Sequence, residues 1–440
     1  MIQKKNFLIE PDGYDIPYDV DQTNGISTQL AEEKGEDLET VLRLFNEVLA
    51  KSTFVVGQNV KFDLNIMGCE FHRKELATNL NDLPVLDTCS ETTANLCQLK
   101  GGRGGKFKYP TLTELHQYLF GSSFGDAHNA TADVEATTRC FLELIRKRVF
   151  TKEELKVSSD YFETFENKNP TTINVIGLKH IDLKKESKKL KTKSEENSEE
   201  IKPTKGESKV LDNANFSHLH CHSQFSILQS TSSVSNLLQT AIKDKMPAVA
   251  LTDTGNMMGA FYFIKEALEY NKSAENFNAN LAEGQEAKLP IKPILGCEFY
   301  VCENHTDKSQ KDNGYHIVIL AKNKTGYHNL AKMSSISNTD GFYDIPRIDK
   351  DIIEQYKEGL MVLSGNLFGE IPSKILNVGE KQAEEALLWW KEQFGEDFYL
   401  EVMRHDQENE NHVNEVLVEF SKKHQEKLIA TNNTYYTKQE

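Results

Sequence analysis

Two groups of residues in this 440-residue chain have the types and spacing that chemistry requires. In HLHCHSQFS (218–226), His218, His220 and His222 occupy alternate positions. Alternate residues of a strand share a face, so the spacing predicts neighbouring imidazoles, a common start for a metal site. A lone strand histidine is ordinarily just a satisfied polar residue; three within five positions favour ligation. The second group lies in VVGQNVKFDLNIM and AHNATADVEATTRCFLELI. There a buried-strand pattern ends at Gly57, and Asn59 and Asp63 follow at the start of a helix. His128 precedes another helix, with Asp133 in or near its first turns. Two-metal phosphodiester hydrolysis takes carboxylates to hold the ions and a base to deprotonate water. A histidine five residues before an aspartate supplies both. Either aspartate alone reads as an acid complementing a helix dipole; the chemistry lies in the combination.

The surrounding elements must position these groups. Asp37 to Ser52 places Leu38, Val41, Leu42, Phe45, Val48 and Leu49 on one helical face. TFVVGQ (53–58) and LPVLDT (83–88) have the pattern of short buried strands, and Val134, Thr138, Phe141 and Ile145 mark a second amphipathic helix. Strands alternating with helices predict an α/β sheet over residues 1–150. Residues 151–213 change texture: KKESKKLKTKSEENSEEIKPTKGESK (184–209) has almost no apolar residue and predicts a flexible tether after a helical remnant, with TTINVIGL (171–178) as one stray strand. From 214 to 440 the runs PAVALTD, IKPILGCEFYV, HIVILAKN, GLMVLSGN, DFYLEVMRH and KLIATNNTYY each finish on a polar or ionisable residue. That is the pattern of a β/α barrel with its chemistry at the strand ends. Such continuous apolar runs predict parallel strands buried on both faces.

Bulk composition narrows the class. Hydrophobic residues make up 38% and charged residues 27%, as in a soluble globular protein. There is no apolar run of about 18 residues, and the opening MIQKKNFLIEPDGYDIP has no signal-peptide h-region. The expected address is the cytoplasm, with no membrane partner. Seven scattered cysteines, never spaced as CxxC, predict reduced thiols. A net charge of −16 is unlike that of a protein that wraps duplex DNA by itself. It is compatible with a metal-dependent nuclease that takes a strand end. Within this acidic chain KGGRGGKFK (100–108) concentrates positive charge. It reads either as a mobile hairpin tip or as a loop touching phosphates, which makes Arg103 and Lys106, with Asn59, candidate nucleic-acid contacts.

The two N-terminal motifs resemble the second and third motifs of the DEDD exonucleases of the histidine subtype, over roughly residues 5–147. The resemblance implies a ribonuclease-H-like fold that removes nucleotides from a 3′ end. It makes Asp63 and Asp133 ligands for Mg2+ or Mn2+ and His128 the general base. The family's first motif, Asp-x-Glu on the opening strand, has no counterpart ahead of NGIST (24–28). Asp37-Leu38-Glu39 lies downstream, opens a helix and lacks the Thr-Gly that should follow, so it is a decoy. The expectation is an N-terminally truncated domain with little activity of its own.

The C-terminal half resembles the PHP domain as it occurs in the alpha subunit of bacterial DNA polymerase III. HLHCHSQFSIL, MPAVALTDTGNMMGA, KPILGCEFYV, YHIVILAKNKTGYHNLAK, GFYDIPRIDK, LSGN, WWKEQFGEDFYLE and ATNNTYY carry the likeness over 216–440. It implies a distorted β/α barrel binding up to three metals at the strand ends. His220, His222, Glu298 and His316 match metal ligands of that pattern, and Asp253 and His405 stand where they add to it. Gln229, Thr254, Asn366, Asn433 and Tyr435 replace residues that metal-bearing relatives commonly show as Asp, His, Cys, Asp and His. Those replacements lose charge and donor strength. The implied site holds one Zn2+ or Mn2+, or none. Together the resemblances imply a fragment of a replicative polymerase acting on a primer-template 3′ end. In its parent, Mg2+ or Mn2+ would serve the polymerase, and deoxynucleotides and a sliding clamp would meet regions outside these residues. The rival readings are a free-standing PHP phosphoesterase and a non-catalytic replication scaffold.

Overall fold

A computed structural model of the chain describes residues 6–124, 130–173, 183, 185–187, 216–405 and 407–437. It forms two compact units, one from Met1–Gly13 with Val20–Ser198, the other from Tyr14–Asp19 with Glu199–Glu440. Most of the charged segment expected to be a tether, and 174–178 of the expected stray strand, lie outside the described residues. None of the seven cysteines is paired, and burial pushes the thiols of Cys140 and Cys221 up to about 12.

In the first unit, strands β1 (Val55–Gly57) and β2 (Val85–Asp87) pair in parallel, with the helix Lys61–Arg73 in the crossover between them. The helix Leu38–Leu49 begins where Asp37 Oδ2 accepts from the Thr40 N–H at 2.8 Å, and Glu39 pairs with Arg43 at 2.5 Å. Asp37 and Glu39 therefore spend their charge on a helix start, as the decoy reading requires. Leu42 and Leu49 of this helix pack with Phe71 and Leu80. The helix Ala130–Arg146 buries Cys140, Phe141, Leu144 and Ile145 against Leu86, Leu115 and Phe150. Val134, expected on the same apolar face, is 58% exposed because the N-terminal part of this helix walls an open cleft.

Seven strands build the second unit: β3 (Ala248–Leu251), β4 (Lys292–Val301), β5 (Tyr315–Ala321), β6 (Arg347–Ile348), β7 (Leu360–Leu363), β8 (Phe398–Val402) and β9 (Lys427–Ala430). They lie in the order β3-β4-β5-β7-β8-β9, with β6 on β4. The sheet is not wholly parallel: β5 runs antiparallel to both β4 and β7. A helix-free loop, residues 302–314, joins β4 to β5, as an antiparallel return allows. Burial on both faces still holds in β5, β7 and β8, while the edge strand β9 leaves Leu428 and Ala430 exposed. Side chains alternate, so Ile317 and Ile319 pack in the larger cluster with Phe299, Val362 and Trp390. Val318 and Leu320 face the other way, among Ala250, Ile294, Leu363, Tyr399 and Ile429. This second set is the inner face of the curled sheet.

The HLHCH segment, expected as a strand, forms no ladder but is held by backbone bonds on both sides. Ala250 N–H donates to His218 O and Thr252 N–H to Cys221 O, each at 2.9 Å. His222 N–H donates to Thr434 O at 2.9 Å, and Thr434 N–H to His220 O at 3.0 Å. The segment thus bridges β3 and the residues that follow β9.

Arg347 secures the β4–β5 loop from within. Fully buried, it donates to the carbonyls of Gly341 (3.1 Å), Asp312 (2.8 Å), His305 (3.3 Å) and Asp307 (2.9 Å). The Gly341 carbonyl is buried and the other three are half-buried, and a buried carbonyl left without a donor costs about 1–3 kcal/mol. Arg347→Met is therefore expected to lower the unfolding free energy of this unit by about 1–3 kcal/mol. Both tryptophans, Trp389 and Trp390, lie in this unit, so urea unfolding followed by their fluorescence measures it directly. A loss below about 1 kcal/mol would show that the loop holds itself.

Candidate functional site

The first unit's cleft, of about 1390 Å³, is built by the turn that follows β1. A side chain at Gly57 would meet the Val60 side chain at 2.6 Å, so only glycine lets the chain fold back here. Asn59 takes a left-handed conformation (φ 55°). Asp87, at the end of β2, locks that turn by accepting from the N–H groups of Asn59 (2.9 Å), Val60 (3.1 Å) and Cys89 (2.7 Å). Asp63 then falls in the first turn of its helix, exposed, and Asp133 in the first turn of Ala130–Arg146. Both line the cleft, with Asn59, Phe62 and Val134. Two carboxylates on one cleft have the donor chemistry for Mg2+ or Mn2+. His128 lies outside the described residues. In the glycine-rich loop, Gly101, Gly104 and Gly105 adopt positive φ and Arg103 opens a single short turn. Lys106 reaches Glu91 at 3.0 Å, and among the described side chains of 100–108 none lines the cleft.

A second constellation occupies the polar end of the curled sheet's inner face. Strand parity carries Ile294 and Glu298 of β4, His316 and Val318 of β5, and Tyr399 and Glu401 of β8 to that side. Fully buried, Glu298 is surrounded by donors: His220 Nε2 and His316 Nδ1 each lie 3.2 Å from Oε1, Thr254 Oγ1 lies 2.9 Å from Oε2, and Asn366 Nδ2 lies 3.5 Å from Oε1. Ligand atoms of His220, His222 and Glu298 all lie within 4.8 Å of one another, the only such set of three His, Cys, Asp or Glu among the described residues.

Electrostatics follow from burial and partners. Burial by itself disfavours charge on His220, yet Glu401 and Glu298 on its two sides raise its pKa to about 10. Burial pushes His222 down to about 4 despite Glu298, so it is neutral. Glu298 is raised by burial but held well below the carboxylate range by hydrogen bonds from His220 and His316.

The residues singled out in the sequence divide clearly. His220, His222 and Glu298 converge, and His316 joins them through Glu298. His218 does not; its Nδ1 is 3.4 Å from Thr434 Oγ1 and its ring meets Phe216 edge-on. Asp253 is buried with its carboxylate taken by the Ser223 N–H (2.6 Å), Ser223 Oγ (2.8 Å) and Ser226 Oγ (2.8 Å), so it anchors the histidine segment from behind. His405 is held by Glu410, through Nδ1 at 2.6 Å and its backbone N–H at 2.5 Å. The replaced positions face the surviving ligands. Asn433 Oδ1 lies 2.9 Å from His222 Nε2, Gln229 Oε1 lies 2.9 Å from Thr254 Oγ1, and the Tyr435 ring stacks on His222 at 4.3 Å. Two imidazoles and one carboxylate suit a single Zn2+ or Mn2+. Amide, hydroxyl and phenol at the other positions do not extend the set to three ions. Glu401 escaped the sequence reading. Its only signal is its place two residues after Tyr399, on the inward parity of β8.

Comparison with known proteins matches this division. Residues 1–141 match the Exonuclease family and residues 218–405 match the PHP domain family. The chain therefore joins an exonuclease domain to a PHP domain. Over 229 residues it is 41% identical to the DNA polymerase III subunit alpha of Borreliella burgdorferi, covering 51% of this chain and 18% of the relative. Its counterparts in Treponema pallidum (38% over 230 residues) and Thermus aquaticus (37% over 234 residues) are covered to the same extents, 51% and 18%. The chain spans about a fifth of the length of these relatives.

The pKa displacements set a pH dependence. A raised histidine contributes stability that is complete below its ordinary value of about 6.5 and is lost as pH rises through about 10. A depressed carboxylate contributes above its ordinary value of about 4.3 and loses that contribution in acid. In EDTA-treated protein, the urea midpoint of the tryptophan transition is expected to fall between pH 6.5 and 10. His220→Gln should lower the midpoint at pH 6.5 and flatten that fall. Parallel curves for variant and parent would refute the assignment of charge to His220.

Proposed function

We propose that this chain serves DNA-templated DNA replication as the exonuclease-and-PHP part of a polymerase III alpha-type enzyme. The observation that carries this is one chain holding both an exonuclease domain with Asp63 and Asp133 on a single cleft and a PHP domain similar to those polymerases. In this reading the substrate is a DNA 3′ end. Asp63 and Asp133 would hold Mg2+ or Mn2+, which supplies charge for the phosphoryl oxygens and an activated water. His128 would accept the water's proton, and Asn59 would face the strand end from the β1 turn. Arg103 would touch phosphates, and so would Lys106 once it leaves Glu91, an exposed pair that solvent and salt weaken. With two carboxylates lining the cleft among the described residues, ions are held less tightly than by the four of the resembled exonucleases, so activity of these residues alone is expected to be low. Deoxynucleotides and a sliding clamp would engage the enzyme outside these residues. Among the described residues no helix is long and apolar enough to cross a membrane, and the proposed place of work is the cytoplasm.

The PHP domain, in this proposal, is a structural module with at most one Zn2+ or Mn2+ on His220, His222 and Glu298. Dialysed protein should retain at most one equivalent by elemental analysis, with no hydrolysis of a generic phosphate ester. About three tightly bound metals would instead favour a free-standing phosphoesterase.

The exonuclease reading is tested with 5′-labelled single-stranded DNA and added Mn2+. Slow shortening from the 3′ end is expected, reduced at least about 100-fold by Asp133→Asn or His128→Ala, since positioned proton transfer and metal binding each contribute on that scale. Shortening that survives both substitutions unchanged would dismiss the assignment.

A further inference from the structure

Behind the ligand set stands a carboxylate that no ligand pattern includes. Glu401 is 2% exposed, on the inward face of β8. Its position is fixed by the two neighbouring strands: its N–H donates to Ser364 Oγ after β7 at 2.8 Å, it pairs in register with Ile429 of β9, and its Oε1 accepts from Thr431 Oγ1, just after β9, at 2.5 Å. That same Oε1 lies 3.1 Å from His220 Nδ1, while His220 Nε2 points to Glu298 at 3.2 Å. The imidazole is thus clamped at both nitrogens, and only Nε2 faces the other ligands.

An imidazole gives a metal one nitrogen. The bond made by the other nitrogen fixes the tautomer and ring angle and strengthens the donor. Glu401 Oε2, moreover, is buried and has no hydrogen-bond partner. A buried polar atom left unpaired is a standing cost. Packing alone gives no reason to bear it, because an apolar side chain fills such a place without it.

We propose that Glu401 is the positioning residue of the PHP cation site, holding His220 with its proton on Nδ1 and its Nε2 turned toward a cation shared with His222 and Glu298. This rests on the one-cation reading of that cluster. Thr431 is the support that keeps Glu401 in place.

The test uses the full chain stripped with EDTA, titrated with Zn2+ by calorimetry and with Co2+ by visible absorption. The parent should bind one equivalent of each. Glu401→Gln keeps the shape and loses the charge; it should weaken Zn2+ binding about 10–100-fold and shift the Co2+ bands. Glu401→Asp should recover part of the affinity, which a purely structural role would not require. Should Glu401→Gln fail to fold, Thr431→Val, which loosens Glu401 without touching His220, should weaken Zn2+ binding several-fold with the same spectral shift. Unchanged affinity and spectrum in the folded variant would overturn the role of Glu401 and leave the one-cation reading standing. A parent that binds neither metal would overturn the reading and the proposal with it.

Discussion

A carboxylate sealed from water inside a sheet has to be answered by donors, and Glu298 sets that condition for the PHP domain. Unpaired, such a charge costs several kcal/mol. Its answers come from separate stretches of chain: His220 ahead of β3, Thr254 after it, His316 on β5 and Asn366 after β7. Each must arrive with its side chain turned inward, which fixes strand parity and register at once. Asp253 and Glu401 work one layer further out, the first gripping Ser223 and Ser226 and the second gripping His220. The charged layer and the apolar layer of Ala250, Val318, Leu320 and Leu363 are successive rows of one inner surface.

The exonuclease domain meets its constraint in another way. Asp63 is exposed and Asp133 half-buried, and backbone geometry brings both to the cleft. Gly57, the left-handed Asn59 and the clamp from Asp87 turn the chain sharply enough that Asp63 falls in a helix's first turn beside the cleft. A large exposed apolar residue adjoins each acid, Phe62 (63% exposed) before Asp63 and Val134 (58%) after Asp133.

Much of this is legible from residues alone, for definite reasons. Apolar runs mark β3, β4, β5, β7 and β8 because burial on both faces leaves few polar positions; β9 reads the same although its outer face is exposed. His220, His222 and Glu298 stand out because ligand-type residues at strand ends are rarely neutral in meaning. Strand direction is another matter: an apolar run reads the same forwards and backwards, so the reversal of β5 leaves no mark in the run itself. His218 misleads because the even spacing of three histidines presumes a regular ladder, which the segment lacks. Asp253 and His405 carry ligand-type groups, yet their partners, two serines and Glu410, lie on neighbouring turns and strand ends that spacing does not weigh. Glu401 is hidden because one glutamate in a strand has no pattern; only the fold brings it to His220.

The bridging of β3 to the residues beyond β9 has a consequence for biosynthesis. His222 and Asn433, joined through their side chains, are 211 positions apart in the chain. Contacts of such long sequence separation form late and slowly, after the entropy of the intervening loop has been lost. During translation the histidine segment emerges long before Thr434, its partner on the far side. Until then one flank of it is bare, and His222 lacks the carbonyl its N–H will meet. The ribosome must therefore deliver nearly the whole domain before its polar centre is assembled, and a nascent chain halted short of that point exposes an unpaired edge to whatever chaperone is at hand.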